Sequence, residues 1–358
     1  MYQVIVDDIK RQVSQGQLRP HDLLPNQIDL ARKYNTSEIT SRRALSELVQ
    51  ANLIYRIRGK GSFVSEFPVA GGEKQIQNVY FASAYMSVQL YNHRYFTDML
   101  AGLKEICKEK GKSFFMWDMG PGEGRLPDDP NAGIVLLPNH YLDLNRLVEL
   151  RNEARRLITI QSYYPHLNIP YVIVDNLTGG YLATQHLLSL GHKRIGIILT
   201  GSSIVDMNQE FSLRLQGYRL ALSQYQLAFD PNLVWTRDDQ DERVEAGYAG
   251  FKALMELPEP PTAVFATSDY KAFGVMTAAR DMGISIPDDV SLVGYDDVVL
   301  SEYSYPNLTT INQNTHKLGR RAVEILLLGQ QEPGEQVMKD EIVPKLIVRE
   351  SAAQYHTV

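Results

Sequence analysis

The sequence predicts two structural parts: a small winged helix-turn-helix domain of the α+β class, followed by a larger two-lobed α/β domain. Three observations support this prediction. The first 65 residues carry three amphipathic helical patterns and then two strand patterns around a Gly-Lys-Gly turn. From residue 79, apolar runs alternate with helical patterns, which is typical of parallel sheets covered on both faces. Between the two parts, residues 66–77 show neither periodicity and include PVAGGEK, as in a linker.

The first part is expected to contain three helices and a hairpin. Apolar residues recur at helical spacing and predict a first helix over residues 3–15. A second helix follows Pro25, which is tolerated in a first turn, and a third is capped by Thr36 or Ser37. The strands are expected at Ile54 to Arg58 and at Ser62 to Ser65. Three helices and a hairpin in this order form the winged helix-turn-helix plan.

The second part contains nine apolar runs, which are too many for one comfortable open sheet and predict two lobes. The runs are VYFASA from 79, SFFMWD from 113, GIVLLP from 133, RLITIQ from 156, YVIVD from 171, RIGIIL from 194, LVWT from 233, AVFATS from 263 and VSLVGYD from 290. We predict domains at 1–67 (winged domain), 68–78 (linker) and 79–358, with lobe 1 at about 79–175 and 311–336 and lobe 2 at about 176–310 and 337–358.

Composition excludes several classes of protein. No apolar run reaches the roughly 18 residues of a membrane helix, and the first residues carry acids where a signal peptide is apolar, so we expect no membrane contact and a cytoplasmic location. The single cysteine, Cys107, excludes an internal disulfide. The eight histidines show no metal spacing, and no Ser-His-Asp arrangement is present. We therefore predict no metal, no cofactor and no enzymatic activity.

Charge is distributed unevenly along the chain. The 358 residues have a formal net charge of −6, yet residues 1–67 hold 10 Lys plus Arg and 7 Asp plus Glu. Within residues 30–64 the balance is 7 basic to 2 acidic, which suits a surface that approaches a polyanion. A solvated basic face would look similar, so charge alone does not decide between the two interpretations.

The third helix and the hairpin carry the candidate DNA contacts. The first turn of a recognition helix enters the major groove, where Ser37, Thr40 and Arg42 could reach phosphates or base edges. Arg43 points about 100° away from Arg42, so one of the two arginines faces the bases. Glycines beside Lys60 allow close approach to DNA, although an ordinary tight turn also explains them. The predicted DNA-binding residues are Ser37, Thr40, Arg42, Arg43, Arg56, Arg58, Lys60 and Gly61.

Two family resemblances refine these predictions. Residues 24–64, LPNQIDLARKYNTSEITSRRALSELVQANLIYRIRGKGSFV, resemble the winged-helix domain of GntR regulators. Residues 79–351 resemble the effector domain of LacI/GalR regulators, through VDNLTGGYLATQHLLSLGHKRIGII from 174, RLQGY from 214, PTAVFATSDYKAFG from 261 and IPDDVSLVGYDD from 286. The pairing resembles the repressors of arabinose operons in Gram-positive bacteria. It implies a two-lobed, periplasmic-binding-protein-like (type I) effector domain, operator DNA and a small sugar as partners, and a homodimer.

The second resemblance also implies ligand residues. Arg214 and Asp296 match the ligand arginine and carboxylate of the family, and a guanidinium fork can bridge two hydroxyls. Ser268 replaces a common Asn while Asp269 is retained, and Gln161 replaces a frequent Asp; both replacements favour an uncharged ligand. Aromatic rings near the first strand end could stack on a sugar, or pack in the core. The candidates in lobe 1 are Ser83, Tyr85, Tyr95 and Phe96.

The chain departs from both family patterns. Ile28 and Glu38 stand where GntR domains commonly have arginine, so the operator need not follow their consensus. Residues 120–133, GPGEGRLPDDPNAG, are too rich in glycine and proline for the helix that LacI-type domains have there, and predict a surface turn.

These observations predict a sugar-responsive transcriptional regulator, with L-arabinose as the first candidate effector and another mono- or oligosaccharide as the alternative. A sugar-binding protein without DNA contact is a second hypothesis. A carbohydrate enzyme using Asp296 and Asp297 is a third, although neighbouring residues at a strand end point to opposite sides.

Overall fold

The structure is a computed structural model, and its described residues form two compact units that divide at Ile76. The description covers residues 2–14, 17–50, 53–57, 61–65, 76–83, 94–120, 124–138, 142–154, 156–237, 244–328 and 338–355. The predicted linker lies largely outside these residues. Each unit is built around its own apolar core, as expected of separate domains.

The first unit contains three helices and a two-stranded antiparallel hairpin, as the sequence predicts. Its elements are α1 (Tyr2–Ser14), α2 (Gln27–Lys33), α3 (Glu38–Gln50), β1 (Ile54–Ile57) and β2 (Gly61–Val64). Asn26 caps α2, because its side chain accepts hydrogen bonds from the backbone N–H groups of Ile28 and Asp29. Helix α1 supplies Ile5 and Ile9 to the core, where they meet Leu45 and Leu48 of α3. This packing fixes α3 and leaves its first turn at the surface.

The second unit begins with a six-stranded parallel sheet, which defines lobe 1. The strands are β3 (Asn78–Ser83), β4 (Ser113–Asp118), β5 (Ala132–Leu137), β6 (Leu157–Ile160), β7 (Tyr171–Val174) and β13 (Lys339–Ile342), in the spatial order β13-β7-β6-β5-β3-β4. The helices of this lobe are α4 (Arg94–Glu109), α5 (Leu144–Glu153) and α10 (Thr315–Leu327). Two core clusters, one on each face of the sheet, agree with the apolar runs read from the sequence.

Lobe 2 is built on a four-stranded parallel sheet in the order β11-β10-β8-β9. Its strands are β8 (Ile195–Thr200), β9 (Val234–Arg237), β10 (Ala263–Ala266) and β11 (Ser291–Val293), and its helices are α6 (Asn176–Ser189), α7 (Gln209–Gln224), α8 (Val244–Met255) and α9 (Asp269–Met282). A short antiparallel pair, β12 (Thr310–Asn312) with β14 (Lys345–Ile347), accompanies this lobe. Parallel strands place the starts of α7 and α9 at one edge of the sheet.

All nine apolar runs correspond to strands, and the turn predicted at 120–133 contains no helix in its described part. One assignment was wrong. Residues from 337 onward are predicted to belong to lobe 2, whereas β13 extends the sheet of lobe 1 by pairing in parallel with β7. Its alternating burial places Ile342 in the lobe 1 core, and such a long-range pairing leaves no local trace in the sequence.

Glycines allow α6 and α7 to approach closely, which positions the candidate arginine. A Cβ at Gly180 would lie 2.2 Å from the carbonyl oxygen of Arg214, and one at Gly217 would lie 2.1 Å from that of Leu177. Both distances are far shorter than real contacts, so any side chain would separate the helices. The close crossing brings Asn176, at the start of α6, within reach of Arg214.

His192 joins three segments of lobe 2 and makes its stability depend on pH. Its ring lies 2.9 Å from both Thr262 Oγ1 and Ser291 Oγ, and 3.2 Å from the carbonyl oxygen of Ala353. Burial lowers the pKa of His192 below the usual 6.5. The unfolded chain therefore takes up a proton first, so this contribution to stability is complete above about pH 6.5 and is lost as the pH falls through the folded pKa. We expect the melting temperature to decline between pH 7.5 and 5.5, and His192→Asn to flatten that decline. Equal slopes in the two proteins would contradict this role.

Candidate effector site and DNA-binding surface

The first turn of α3 presents the predicted DNA-contacting hydroxyls. Ser37 is exposed and caps the helix, since its Oγ accepts from the backbone N–H of Thr40 at 3.2 Å. The same Oγ lies 2.9 Å from Thr40 Oγ1, so the two hydroxyls form a pair at the helix start. A hydroxyl pair at a helix N-terminus can donate to a phosphate while the backbone N–H groups add positive potential.

The two neighbouring arginines point to different helices. Arg42 Nε donates to Gln27 Oε1 of α2 at 3.3 Å, whereas the guanidinium of Arg43 lies 4.2 Å from the ring centre of Tyr2 in α1. Arg42 therefore shares a surface with the helix-turn-helix, while Arg43 packs on the first helix. Both side chains are exposed, and their predicted DNA contacts remain predictions.

Sequence reasoning missed an exposed apolar side chain in the same turn. Ile39 is 79% exposed, although isoleucine is usually buried. The buried face of α3 contains Ser41 and Ala44, and Ile39 does not lie on that face. The sequence could have revealed it, because an apolar residue outside the buried face of an amphipathic helix is unusual. Such a side chain suits contact with a thymine methyl group in the major groove.

The hairpin is described on both strands but not at its tip. Arg56 is exposed on β1, and Gly61 has φ of 120°, a conformation that favours glycine. A Cβ at Gly61 would also lie 2.8 Å from Leu23 Cδ1. Arg58 and Lys60 lie outside the described residues.

In the second unit, Arg214 is held at the edge of lobe 2 where the strands end. It is buried in α7, its Nε donates to Asn176 Oδ1 at 2.9 Å, and its Nη1 donates to the carbonyl oxygen of Thr267 at 2.6 Å. The guanidinium also stacks on the ring of Tyr295, with 3.8 Å between Cζ and the ring centre. These contacts fix the plane of the fork, as a ligand-orienting group requires.

Tyr95 is a residue of lobe 1 whose surroundings include charged groups of lobe 2. It is buried in the first turn of α4, and burial raises its pKa well above the usual value. The charges of Glu210 and Asp296 also raise this pKa, while the charge of Arg214 lowers it. Tyr95 of lobe 1 and Asp296 of lobe 2 line the same cavity. Arg214 is near enough for its charge to act on Tyr95.

The two neighbouring carboxylates after β11 have different partners. Asp296 Oδ1 accepts from Gln313 Nε2 at 2.5 Å, and Asp297 forms an ion pair of 2.7 Å with Arg349. Asn312 Nδ2 also donates to Asp297, at 2.7 Å. Asp297 is therefore engaged by Asn312 of β12 and by Arg349, which follows β14. This arrangement does not suit the paired-carboxylate chemistry of the enzyme hypothesis, in which both groups flank one bond.

Ser268 and Asp269 are buried at the start of α9 and have structural contacts. Ser268 caps the helix. Asp269 accepts from Ser301 Oγ at 2.7 Å, from Thr310 Oγ1 at 2.5 Å and from the backbone N–H of Val298 at 2.9 Å. Burial raises the pKa of Asp269 to about 7, against the lowering effect of these donors. Asp269 therefore anchors the segment that follows β11 and the start of β12, and its predicted contact with a ligand stays a prediction.

Gln161 bridges the lobes directly. It follows β6 in lobe 1, has φ of 74°, and its Nε2 donates to Glu210 Oε2 of lobe 2 at 2.5 Å. Beside it, Gln209 Oε1 accepts from the backbone N–H of Tyr163 at 3.0 Å, and Gln209 Nε2 donates to the Tyr163 carbonyl at 3.2 Å. We call these four residues the interlobe clasp. We call the arrangement in which the lobes lie this close the closed form; the clasp contacts join the two lobes and favour it.

Substitution of a residue of the interlobe clasp is expected to weaken effector binding indirectly, without the removal of a ligand contact. Gln209→Ala deletes both bonds to Tyr163, each with a net contribution of about 1 kcal/mol. The closed form then becomes less populated, and we expect the apparent sugar affinity to fall about tenfold. Gln216→Ala, an exposed change in the same helix, is the control. Calorimetric titration measures the difference, and equal affinities for the two variants would contradict the proposed role of the clasp.

Two of the remaining lobe 1 candidates, Ser83 and Phe96, belong to the described residues. Ser83 ends β3 and its buried Oγ has no hydrogen-bond partner among the described residues. Phe96 is half-buried and packs edge-on against Tyr95, with 5.0 Å between ring centres. Tyr85 lies outside the described residues. An unsatisfied hydroxyl at a strand end is a good acceptor or donor for a polar ligand.

The described residues offer neither a metal site nor a membrane-spanning helix. Within these residues, no group of three or more His, Cys, Asp or Glu side chains could hold a metal ion. None of the described helices is both long enough and apolar enough to span a bilayer.

Comparison with known families agrees with this two-part architecture. Residues 1–64 match the model of bacterial regulatory proteins of the gntR family, and residues 184–352 match that of the periplasmic binding protein-like domain. A curated relative, the ribose operon repressor of Haemophilus influenzae, is 32% identical over 270 residues, which are 73% of this chain and 78% of that protein.

Two further comparisons extend the match. The arabinose metabolism transcriptional repressor of Geobacillus stearothermophilus is 26% identical over 376 residues, 99% of this chain and 98% of that protein. A crystal structure of a LacI family transcriptional regulator from Mycobacterium smegmatis aligns with a TM-score of 0.63 at 25% identity, covering 77% of this chain and 99% of that chain.

A winged DNA-binding head joined to a two-lobed effector body defines a ligand-responsive transcription factor. The chain belongs to the sugar-responsive transcriptional repressors of the LacI/GntR type.

Proposed function

We propose that this repressor binds a small neutral sugar, L-arabinose being the first candidate, and that the sugar releases it from its operator. The main support is the composition of the closed cleft. Charges of both signs act on Tyr95 there: those of the acidic side chains Asp296 and Glu210 and that of the buried Arg214. A site with charges of both signs suits a neutral, hydroxyl-rich ligand. The names of two relatives, repressors of ribose and arabinose metabolism, agree with a pentose.

The release mechanism follows from differential binding. A sugar held by Tyr95 of lobe 1 and by Arg214 of lobe 2 contacts both lobes only when the cleft is closed, so it stabilises the closed state. If the open state binds the operator better, the sugar lowers the affinity for the operator. Bound DNA then lowers the affinity for the sugar by the same coupling free energy. In this proposal the effector is an inducer.

The repressor is further proposed to act as a homodimer on a palindromic operator in the cytoplasm. One winged head buries too little surface for tight specific binding, and twofold symmetry doubles the contacts. The site residues of the proposal are the hydroxyl pair of Ser37 and Thr40 with Arg42 in the head, and Tyr95, Arg214 and Asp296 in the cleft. The protein is not proposed to have an enzymatic activity.

The experiment measures operator binding with and without sugar. Fluorescence anisotropy of a duplex carrying the upstream region of the gene should show salt-dependent binding, since phosphate contacts release counterions. Addition of L-arabinose should lower this affinity. Binding of sugar without any binding of the duplex would favour a sugar-binding protein without DNA contact. The titration is repeated with other mono- and oligosaccharides. If the protein binds the duplex and responds to one of these sugars but not to L-arabinose, that sugar is the effector instead.

A further inference from the structure

The outward face of α3 carries an apolar side chain at its centre. Four side chains of this helix are buried in the head: Ser41, Ala44, Leu45 and Leu48. At about 100° per residue, Ile39 lies about 180° from Leu48, on the side of the helix that faces away from the core. Ile39 is 79% exposed, so burial does not account for it. Helix propensity does not account for it either, because a β-branched residue is a weaker helix former than alanine or leucine.

Positive charges lie on both sides of Ile39. Arg43 is about 40° from it around the helix, and Arg42 is about 60° from it in the opposite direction. Both arginine side chains are exposed. A face that is apolar in the middle and cationic at its sides is complementary to the major groove of DNA, in which base edges form the floor and phosphates form the rims.

The start of α3 supplies the groups that can hold a phosphate. Ser37 caps the helix, and its Oγ lies 2.9 Å from Thr40 Oγ1. Thr40 lies about 100° from Ile39 around the helix, so the hydroxyl pair is beside the apolar side chain. A phosphate bound by these hydroxyls and by the helix N-terminus leaves Ile39 to face the base edges.

The base edges offer one group that an isoleucine contacts favourably. In the major groove, adenine, guanine and cytosine expose hydrogen-bonding atoms, whereas thymine adds a C5-methyl group. An isoleucine packed on a hydrogen-bonding atom displaces its water without replacing the bond, which costs free energy. Contact with the methyl group instead removes apolar surface of both partners from water.

We propose that Ile39 packs against the C5-methyl group of a thymine in each operator half-site, and thereby makes thymine a requirement at that base pair. This inference rests on the proposed function, because it takes the first turn of α3 as the part of the head that enters the major groove. It goes beyond that function by naming the base and the group of that base that is read. Ile39 acts in operator selection and has no part in sugar binding.

The test removes the methyl group from the DNA and the side chain from the protein. A half-site is first obtained by selection of duplexes that the wild-type full chain binds from a randomised library. Each thymine is then replaced by deoxyuridine, which lacks only the C5-methyl group and keeps every hydrogen bond of the base pair. We expect one replacement per half-site to weaken wild-type binding about fourfold, the equivalent of ~0.8 kcal/mol for one buried carbon group.

Two variants assign this penalty to a residue. Ile39→Ala should bind the thymine and uracil duplexes equally, because the deleted side chain and the deleted methyl group form one pair. Val4→Ala truncates another exposed β-branched side chain of the head, in α1, and should keep the full penalty. The melting temperature of Ile39→Ala should equal or exceed that of wild type, since alanine forms helices better. A lower value shows that Ile39 packs in the head and contradicts its place at the DNA surface.

The outcomes separate this inference from the proposed function. If wild type selects no duplex, the proposed operator binding is wrong and the inference fails with it. If wild type binds a duplex but tolerates uracil at every position, or if Ile39→Ala keeps the penalty, only the reading of a methyl group by Ile39 is wrong. A changed oligomeric state of Ile39→Ala with the penalty intact assigns this face to a contact between copies of the chain, which also overturns the proposal.

Discussion

Arg214→Ala is expected to abolish the stabilisation of the protein by sugar. Wild type at 100 times the dissociation constant should gain about 2.7 kcal/mol of unfolding free energy. Arg214 donates to Asn176 and to the Thr267 carbonyl and stacks on Tyr295, so its fork is preorganised in one orientation. Loss of charge-assisted hydrogen bonds from such a group should weaken sugar binding at least about 100-fold. Thermal-shift titration with L-arabinose measures this loss.

Three further measurements identify the cause. Arg219→Ala removes an exposed arginine from the same helix and should keep the full sugar response. Arg214→Lys keeps the charge but loses the planar fork, and should recover only a small part of the affinity. Operator binding by Arg214→Ala in the absence of sugar should equal that of wild type, since the winged head folds around its own core. A normal sugar response in Arg214→Ala would remove this residue from the site.

Much of the fold was predictable because local patterns determine it. Parallel strands covered on both faces need continuous apolar runs, and each of the nine runs became a strand. Three described strands that the sequence did not reveal are short, with one or two apolar residues each: TIN of β12, KDEI of β13 and KLI of β14. Their positions depend on pairing with distant parts of the chain, β13 with β7 and β12 with β14.

The candidate site was predictable only in part, for a related reason. Arg214 and Asp296 were assigned by resemblance; Asp296 lines a cavity with Tyr95, and the ligand contacts of all three residues stay predictions. The roles of Asp269 and Gln161 were not visible, because they depend on which element each side chain meets: Asp269 meets Ser301 and Thr310, and Gln161 meets Glu210 of the other lobe.

Gln161 illustrates how a family position can change its role. An aspartate at the end of β6 would contact a ligand as an acceptor, whereas the amide of Gln161 donates to a carboxylate across the cleft. An aspartate there would repel Glu210 and favour an open cleft. In this chain the position joins the two lobes through the bond from Gln161 to Glu210.

Arg42→Ala is expected to lower operator affinity by about 10- to 100-fold, the range for loss of one bidentate base contact. Arg43→Ala is the matched control, since it removes the same charge from the next residue of α3. Arg42 donates to Gln27 of α2 and shares its surface with the recognition turn, whereas Arg43 stacks on Tyr2 of α1. Loss of Arg43 should therefore lower the melting temperature of the head and leave the preference for operator over scrambled duplex unchanged.

The two arginines are distinguished by selectivity and by salt dependence. Anisotropy titrations with operator and scrambled duplexes at several salt concentrations give both quantities. If Arg42 reads a base, its loss reduces the ratio of specific to non-specific affinity. If Arg42 only contacts phosphate, both affinities fall together and the slope of log affinity against log salt decreases by about one. The second result would leave Ser37, Thr40 and the exposed Ile39 as the base-reading side chains of the described first turn, because they are what α3 presents there besides Glu38.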